Sequence, residues 1–581
     1  MKQEQRLWAA IIVSMFLIFL WQILFPPPMP PISSEGDTGL VSAGSPSAAE
    51  TDLVHNLFSS VGEDTASSEA ILGRDEKETS VTAVVGRTFI RRLGELNLVF
   101  SETGGIVSRM SLPNYPVEKS AGFDTPVALA SPNGFPGPFA VVMEEEDRSG
   151  LSRAIWKAET GPGSFSFRIR PHVAELPNGT VLEKRLESKD SYAFLFSITV
   201  RNASSRALAY SQARMRYPLQ GKDFPGGLLL HFGPDLGENK VSRLYKGQYL
   251  VKGQYSQGGK LKTAKTALGF FDKIKGPPAP PREVDWAALE NRYFAVVFLP
   301  ERKIDANFTR DDQGRIHLWF LLPPFELARG EEKTFSFRVY AGPKKTKFLA
   351  ALSPALQKLD GMEPRLFPSN ISFARWMVWL LEWIESKVGN WGAAIIILTF
   401  LVRLILFPLA QYQYKSMARM QKLKPQIDAV QQKYAEDKQR LQQELMKVYR
   451  EAGVNPLGGC LPLIIQMPIL IGLFIALENA IELRGVPFIW WVKDLSVPDT
   501  IAYLFGIPIN PLPIAMGVTM VLQQRLTPTP TADPSQKQMM TIMMIFMTVL
   551  FYNFPSGLCL YWLTQNILSM GQQYAIMKTK E

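Results

Sequence analysis

The chain has 581 residues, which exceeds the size at which one hydrophobic core stops growing, so at least two structural units are expected. Its formal net charge of +10 comes from 63 basic and 53 acidic residues. The basic clusters flank long apolar runs, which argues against a nucleic-acid substrate and for a membrane protein. Cys460 and Cys559 lie in apolar runs and the four histidines are scattered, so neither a metal site nor a cofactor is expected.

The first predicted element is an N-terminal membrane anchor. Residues 8–25 form a predominantly apolar run after Lys2 and Arg6, long enough to cross a hydrocarbon core about 30 Å thick. A cleaved signal peptide is the alternative, but its apolar region normally has only about 7 to 15 residues and ends near small residues. This run instead passes into the proline-rich residues 26–31. We therefore predict that residues 1–25 are a cytoplasmic end and an uncleaved anchor.

Composition separates a tether from a β-domain in the next part of the chain. Residues 26–80 are rich in small and acidic residues and poor in aromatic ones, so they cannot bury enough apolar surface to offset the entropy of ordering. A flexible tether is predicted there. In residues 81–345 apolar and polar residues alternate, for example at Phe194, Phe196 and Ile198. This period of two predicts antiparallel strands and a large β-sandwich domain.

Residues 346–388 are predicted to connect the β-domain to a helical core. Within them, residues 371–387 combine Trp376, Trp379 and Trp383 with four charged residues, which makes this stretch too polar and too short for a comfortable membrane span. Because tryptophan favours the headgroup layer, an amphipathic helix lying on the membrane is predicted. A helix packed against a domain is the alternative.

Residues 389–581 contain five apolar segments that are predicted as membrane spans, at 391–409, 457–483, 509–526, 539–554 and 557–574. With the anchor they make six. Residues 411–451 hold nine basic and five acidic residues, which predicts a cytoplasmic loop and therefore cytoplasmic termini and an external β-domain. Helical spacing predicts a helical hairpin at 411–454, whose charged surface either docks a partner or is simply solvated. The predicted fold class is a multi-span α-helical membrane protein with a large external all-β domain.

Arg403 is the charged residue of an otherwise uncharged span, about 18 Å along the helix from Trp391 at about 1.5 Å per residue. Burying it costs about 2.5 to 3.5 kcal/mol on insertion scales unless water or polar groups surround it. Glu478 and Glu482 fall near the outer end of another span, so they are not expected to pair with Arg403. A hydrated cavity open to the cytoplasm is predicted, lined by polar groups from several spans: Thr399, Gln466, Gln523, Gln565 and Asn566.

Two alternatives remain for these residues. Arg403 is long enough to snorkel toward the cytoplasmic headgroups. The glutamines and Asn566 are of the kind that form hydrogen bonds between membrane helices as a packing device.

Three motifs carry a resemblance to a known family. They are residues 389–403 (GNWGAAIIILTFLVR), 455–468 (NPLGGCLPLIIQMP) and 554–562 (FPSGLCLYW). Together they resemble the YidC/Oxa/Alb family of membrane protein insertases, over a stretch from about residue 371 to the C terminus. The anchor and the external β-domain resemble its Gram-negative six-span branch in particular. The resemblance implies a bacterial inner-membrane protein that is not an enzyme, with a periplasmic domain of the galactose-mutarotase-like supersandwich fold.

The resemblance also implies a mechanism. Arg403 would attract the hydrophilic, often acidic, segment of a client within a groove open to the cytoplasm and the lipid. The client's apolar helix would slide into lipid along the third and fifth spans, residues 457–483 and 539–554, with the anchor counted as the first span. The groove-contact positions of the family map onto Thr399, Arg403 and Gln466, and its aromatic contact, commonly tyrosine, maps onto Trp562. The apolar client contacts are predicted to be Met467, Leu470 and Phe474.

The implied partners are nascent membrane proteins and the lipid bilayer. The Sec translocon, the ribosome and the receptor of the signal recognition particle are further candidates.

A secondary transporter and a carbohydrate-active protein are the two alternative classes of function. A secondary transporter also needs a polar site between helices, but the chain lacks paired, interrupted halves and the intramembrane acidic residues that usually couple protons. A membrane-anchored periplasmic protein acting on carbohydrate would fit the expected β-domain fold. That fold is weak evidence for activity, and no paired catalytic carboxylates are recognisable from spacing. The chain also has no Gly-x4-Gly-Lys-Ser/Thr motif for a nucleotide.

Overall fold

The structure is a computed structural model that describes residues 87–118, 123–130, 139–142, 155–161, 164–169, 179–210, 213–216, 223–226, 229–232, 251–264, 281–310, 315–362, 373–434, 437–453, 461–526 and 534–578. These residues belong to one compact unit. The predicted anchor and tether, together with Cys460, lie outside the described residues.

Antiparallel strands build the region from Thr88 to Pro343. They are β1 (Thr88–Leu93), β2 (Leu96–Ser101), β3 (Ile106–Glu118), β4 (Phe123–Ala130), β5 (Ala140–Val142), β6 (Lys157–Gly161), β7 (Ser164–Ile169), β8 (Thr180–Ser188), β9 (Ala193–Asn202), β10 (Leu208–Tyr210), β11 (Ala213–Arg216), β12 (Asp223–Gly226), β13 (Leu229–Phe232), β14 (Lys252–Gln257), β15 (Lys260–Thr263), β16 (Trp286–Glu290), β17 (Phe294–Pro300), β18 (Asp305–Arg310), β19 (Ile316–Leu321), β20 (Phe325–Leu327) and β21 (Glu332–Pro343). In β9, the apolar residues of the period-two pattern are buried and those between them are partly exposed. The predicted β-sandwich is confirmed.

Three sheets form the sandwich. A nine-stranded sheet has the order β15-β14-β16-β17-β21-β9-β8-β7-β6, and two four-stranded sheets have the orders β1-β2-β3-β4 and β18-β19-β13-β5. The rings of Phe100 in β2 and Phe165 in β7 stack with centroids 4.0 Å apart, and those of Phe298 in β17 and Phe320 in β19 lie 5.4 Å apart. One hydrophobic cluster runs through all three sheets, so each smaller sheet covers a different part of the long one.

A buried lysine holds the β2–β3 turn against β8. Lys184 Nζ donates to the carbonyl oxygens of Gly104 at 3.0 Å, Gly105 at 2.7 Å and Phe139 at 3.1 Å, and it lies 4.1 Å from the centroid of the Trp156 ring. Burial lowers the pKa of Lys184 well below its usual value. The side chain therefore stabilises the fold, because its N–H groups donate hydrogen bonds to backbone carbonyls that strand pairing does not satisfy.

Replacing Lys184 with methionine is expected to destabilise this corner of the β-domain by about 3 kcal/mol, because three buried carbonyl groups lose their donor. Opening would then be roughly a hundredfold more frequent. Hydrogen exchange of the β2 and β3 amides in the full chain measures it. Lys262→Met on the exposed strand β15 is the matched control and should change those rates by less than about twofold. Equal exchange in both variants would contradict the proposed role of the lysine.

Helices make up most of the chain after Pro343. They are α1 (Thr346–Leu352), a 3₁₀ turn (Pro354–Asp360), α2 (Phe373–Val388), α3 (Trp391–Ile405), α4 (Phe407–Lys422), α5 (Lys424–Lys433), α6 (Lys438–Glu451), α7 (Leu461–Asn479), a second 3₁₀ turn (Ile481–Leu483), α8 (Pro511–Leu526), α9 (Pro534–Phe551) and α10 (Ser556–Lys578). A two-stranded hairpin, β22 (Ala502–Leu504) and β23 (Ile507–Ile509), lies between α7 and α8.

The end of α3 differs from the predicted segment 391–409. The helix stops at Ile405, and α4 begins at Phe407 with a proline in its first turn. Proline is favoured in a first turn, where its missing N–H costs nothing, so it starts a new helix here. Among the residues that the structure describes, no helix on its own has the length and hydropathy to cross a membrane. Only α2 and α3 pass that test, together, as a pair bent by 119°.

Helix α10 is the centre of the helical region. It packs against α3, α7 and α8, while α2 packs against α3 and α7, and α9 packs against α8. Leu398, Leu477, Met516 and Leu558 from four of these helices belong to one buried apolar cluster. The helices α5 and α6 contact each other as a separate hairpin.

Ion pairs join the β-domain to the end of α7. Arg292, in the turn between β16 and β17, lies 3.0 Å from Glu478, and Lys345, just after β21, lies 3.2 Å from Glu482. Ile481 belongs to the same hydrophobic cluster as the β-domain core. Both glutamates are thus engaged by basic residues on the β-domain side, in agreement with the expectation that neither is the partner of Arg403.

A buried carboxylate ties α2 to the connector. Asp360 is 1% exposed and accepts from Arg375 Nε at 2.6 Å, Arg375 Nη2 at 3.1 Å, Thr346 Oγ1 at 2.8 Å and the Met362 backbone N–H at 2.9 Å. Beyond Arg375, α2 has two faces. It buries Ala374, Met377, Leu381 and Ile384 and exposes Trp376, Trp379 and Trp383.

Candidate functional site

Arg403 lies in the last turn of α3 and reaches α10. Its Nε donates to Gln565 Oε1 at 2.9 Å, and its backbone carbonyl accepts from Gln572 Nε2 at 3.5 Å. A basic residue in the last turn also suits the negative end of the helix dipole. Tyr561, one turn before Gln565 on α10, is buried and lies within electrostatic range of Arg403. The arginine is thus held in place by polar groups of α10.

Trp562 lies on α10 three residues before Gln565, which places both on the same side of the helix. Its ring is partly buried and lies 4.9 Å from the ring of Phe551 at the end of α9. The predicted aromatic contact therefore stands at the junction of α9 and α10.

A polar seam joins α8 to α10. Asn566 Nδ2 donates to Thr519 Oγ1 at 3.1 Å, and Gln523 Nε2 donates to Ser569 Oγ at 3.0 Å. Asn566 and Ser569 are buried. The structure thus places Gln523 and Asn566 in an interhelical hydrogen-bonding arrangement, which was the alternative interpretation of these two residues.

Thr399 is 1% exposed, and its hydroxyl donates to the carbonyl of Ile395 in the same helix at 2.6 Å. Such bonding back along the helix satisfies a buried hydroxyl without a partner from another span. Gln466, Met467 and Leu470 belong to α7, but their side chains lie outside the part of the chain that the structure describes.

Phe474, which is predicted as an apolar client contact, lies inside the helical core. It is 6% exposed, and its ring lies 5.9 Å from that of Phe554. The apolar residues of α7 are spread around the whole helix, so hydrophobic periodicity cannot separate an inner face from an outer one. Exposed apolar side chains occur on α9 instead: Ile542, Met543, Ile545, Phe546 and Val549.

Sequence reasoning also missed Tyr561 and treated the histidines as separate. The spacing of four between Tyr561 and Gln565 was the available signal, because it puts both on one helix face.

Two of the histidines meet in the β-domain. His231 Nε2 on β13 and His317 Nδ1 on β19 lie 2.9 Å apart, and both side chains are buried. Among the described residues, no group of three or more His, Cys, Asp or Glu side chains could hold a metal ion.

Comparison with known proteins identifies both parts of the chain. Residues 383–581 match the family described as the 60Kd inner membrane protein, and residues 94–360 match the YidC periplasmic domain. The membrane protein insertase YidC of Syntrophobacter fumaroxidans is 33% identical and aligns with 75% of this chain and 76% of its own length. That of Pelobacter propionicus is 30% identical, over 99% of both chains.

Solved structures were also compared with the chain. An active YidC insertase is 20% identical, with 85% of this chain and 95% of that chain covered and a TM-score of 0.34. A galactose mutarotase related enzyme from Lactobacillus acidophilus is 9% identical, with 44% of this chain and 97% of that chain covered and a TM-score of 0.27. The sequence relatives show the family and confirm the predicted function of membrane protein insertion, together with the prediction that the protein is not an enzyme. The chain belongs to the YidC family of membrane protein insertases, which are inner-membrane proteins with a periplasmic domain.

Proposed function

We propose that this insertase moves its clients through a hydrophilic groove open to the cytoplasm, with Arg403 as the charge that attracts them. The observation that carries the proposal is the contact between Arg403 Nε and Gln565 Oε1 across α3 and α10. It fixes a cation in the last turn of an otherwise apolar helix. A positive charge with water around it shortens the apolar barrier that a polar client segment must cross, and no covalent chemistry is required.

The proposed topology has six spans, formed by the anchor at residues 8–25 and by α3, α7, α8, α9 and α10. Residues 81–345 are then the periplasmic domain, residues 346–388 the connector and residues 389–581 the insertase core. Support comes from the ion pairs of Glu478 and Glu482, which put the end of α7 beside the β-domain. The basic segment 411–454 falls at the opposite end of α7, which fits a cytoplasmic position for it and for both termini.

The client path is proposed to run along α7 and α9. The apolar side chains that α9 exposes support this, because a client helix entering lipid needs such a surface beside the groove. The stretch from Met539 to Met547 contains five methionines, and flexible thioether side chains suit contacts with many different sequences. Met467 and Leu470 remain candidates on α7, and Trp562 stands where α9 meets α10.

The proposed partners are nascent membrane proteins and the bilayer, with the protein working alone or beside the Sec translocon. The hairpin of α5 and α6 is proposed to meet the ribosome or the receptor of the signal recognition particle. Its exposed basic residues Lys433, Arg440 and Arg450 support a docking surface for acidic partners.

Reconstitution tests the proposed function. The purified chain in proteoliposomes is expected to insert a client with one apolar helix and a short acidic tail in the absence of ATP, measured by protection of the tail from external protease. Protein-free liposomes are the control. Insertion that is no better than in those liposomes, or that requires a nucleotide, would contradict the proposal.

A further inference from the structure

The hairpin of β22 and β23 exposes an uncharged apolar surface. Residues 501–509 contain no charged side chain, and Phe505 at the tip is 96% exposed. Ile501, Tyr503, Leu504 and Ile507 are exposed as well. In water an uncharged strand pair with these exposed apolar side chains would invite aggregation, which natural edge strands commonly avoid with charged side chains. The composition therefore indicates that something apolar covers this hairpin.

Two aromatic residues in the segment that connects α7 to α8, residues 484–510, are held outward by an unfavourable backbone. Trp490 has φ of 49° and Phe505 has φ of 52°, in the left-handed region that bulky residues rarely adopt. Trp490 is 84% exposed, and its ring stacks on Trp491 with centroids 5.8 Å apart. Strain of this kind persists where it serves a function, and here its effect is to present aromatic rings away from the protein.

The base of the segment is rigid, so the exposed rings do not result from a loose loop. Asp499 Oδ2 accepts from Trp491 Nε1 at 2.9 Å and from the backbone N–H of Leu512, in the first turn of α8, at 2.8 Å. Asn510 Nδ2 donates to the carbonyl of Tyr552, just after α9, at 2.7 Å. Buried polar contacts thus tie the hairpin to α8 and α9.

The segment lies at the same end of the helical core as the exposed tryptophans of α2. Asn390, between α2 and α3, donates through Nδ2 to the carbonyl of Phe488 at 3.3 Å, two residues before Trp490. Trp376, Trp379 and Trp383 on α2 are all exposed. Tryptophan and tyrosine concentrate where membrane meets water, because they offer an apolar ring with a polar edge.

We propose that the hairpin anchor, defined as Trp490, Trp491 and the β22–β23 hairpin, inserts into the periplasmic leaflet of the phospholipid bilayer. Exposed Lys493 lies beside the two tryptophans, where it can pair with lipid phosphate while the rings enter the acyl boundary. Side chains that offer apolar area with few hydrogen-bonding groups suit lipid better than a protein interface, which carries regular hydrogen bonds. The anchor would fix the height of the α7–α8 connection in the bilayer. It rests on the proposed placement of the helices in the membrane.

Fluorescence quenching in proteoliposomes of phosphatidylethanolamine and phosphatidylglycerol tests the anchor. In the full chain carrying Cys460→Ala and Cys559→Ala, a nitrobenzoxadiazole label is attached to Phe505→Cys. The matched control is Lys260→Cys, at the tip of the polar β14–β15 hairpin, and Val549→Cys on the exposed face of α9 reports the placement of the helices. Nitroxide lipids labelled near the headgroup should quench the label at 505 several-fold more than the label at 260. Aqueous iodide should show the reverse order.

Each other outcome has a distinct meaning. Iodide quenching at 505 as strong as at 260 would place the hairpin in water, and protection at 505 from both quenchers would mean that protein covers it; either result overturns the anchor. If nitroxide lipids quench the label at 549 but not the label at 505, the anchor is refuted and the helix placement stands. If they quench neither label, both are refuted. Trp490→Cys is the second labelling site if Phe505→Cys fails to fold, as judged by client insertion.

Discussion

Replacing Arg403 with alanine is expected to slow the insertion of clients with acidic translocated tails by about tenfold. Two unit charges about 6 Å apart in a hydrated groove with an effective dielectric constant of about 40 attract each other by about 1.4 kcal/mol. If that attraction acts during the crossing of the tail, its loss corresponds to about tenfold in rate. The measurement is the initial rate of tail protection in proteoliposomes that contain equal amounts of each variant.

Matched variants separate the charge from other effects of the substitution. Arg403→Lys keeps the charge and should retain most of the rate, while Gln565→Leu removes the acceptor that orients Nε and should have a smaller effect than the loss of the charge. Arg525→Ala removes an exposed arginine from the last turn of α8 and should leave the rate unchanged. A client with an uncharged tail should respond little to any of them. Equal insertion of acidic and uncharged tails by Arg403→Ala would remove the arginine from the mechanism.

The β-sandwich was predictable because burial follows the sequence directly in an antiparallel strand. Even Lys184 obeys the rule, since it lies between Leu182 and Leu186 on the buried face of β8. Its three carbonyl partners were not predictable, because they come from residues about 45 to 80 positions away and depend on how the sheets pack.

The distribution of the polar groups was predictable only in part. Gln565 and Asn566 are neighbours in sequence, yet one contacts Arg403 on α3 and the other contacts Thr519 on α8. Adjacent helical positions differ by about 100° around the axis, so two amides that look equivalent in a motif meet different helices. The polar residues could be identified from the sequence. Which of them contacts Arg403 and which belongs to the seam depends on how α10 is oriented about its axis within the bundle, and the sequence does not show this.

Removing the carboxylate of Asp360 is expected to be the most damaging single change away from Arg403 and its contacts. Asp360 has no exposed side-chain surface, and its ion-pair partner Arg375 is 21% exposed. Breaking a buried pair by deleting one partner typically costs about 3 to 5 kcal/mol, because the remaining charge stays desolvated. In Asp360→Ala the guanidinium of Arg375, the hydroxyl of Thr346 and the N–H of Met362 all lose an acceptor.

The damage should be local to α2 and its connector. Hydrogen exchange of the full chain in detergent should show much faster exchange in Phe373–Val388 for Asp360→Ala, with β9 unchanged. Glu385→Ala removes a partly exposed carboxylate from the same helix and is the control. Replacing both partners, as Asp360→Leu with Arg375→Met, should recover part of the protection, since an apolar pair leaves no buried charge. If α2 is as well protected in Asp360→Ala as in Glu385→Ala, the carboxylate does not hold the helix, and apolar packing against α3 and α7 alone keeps α2 in place.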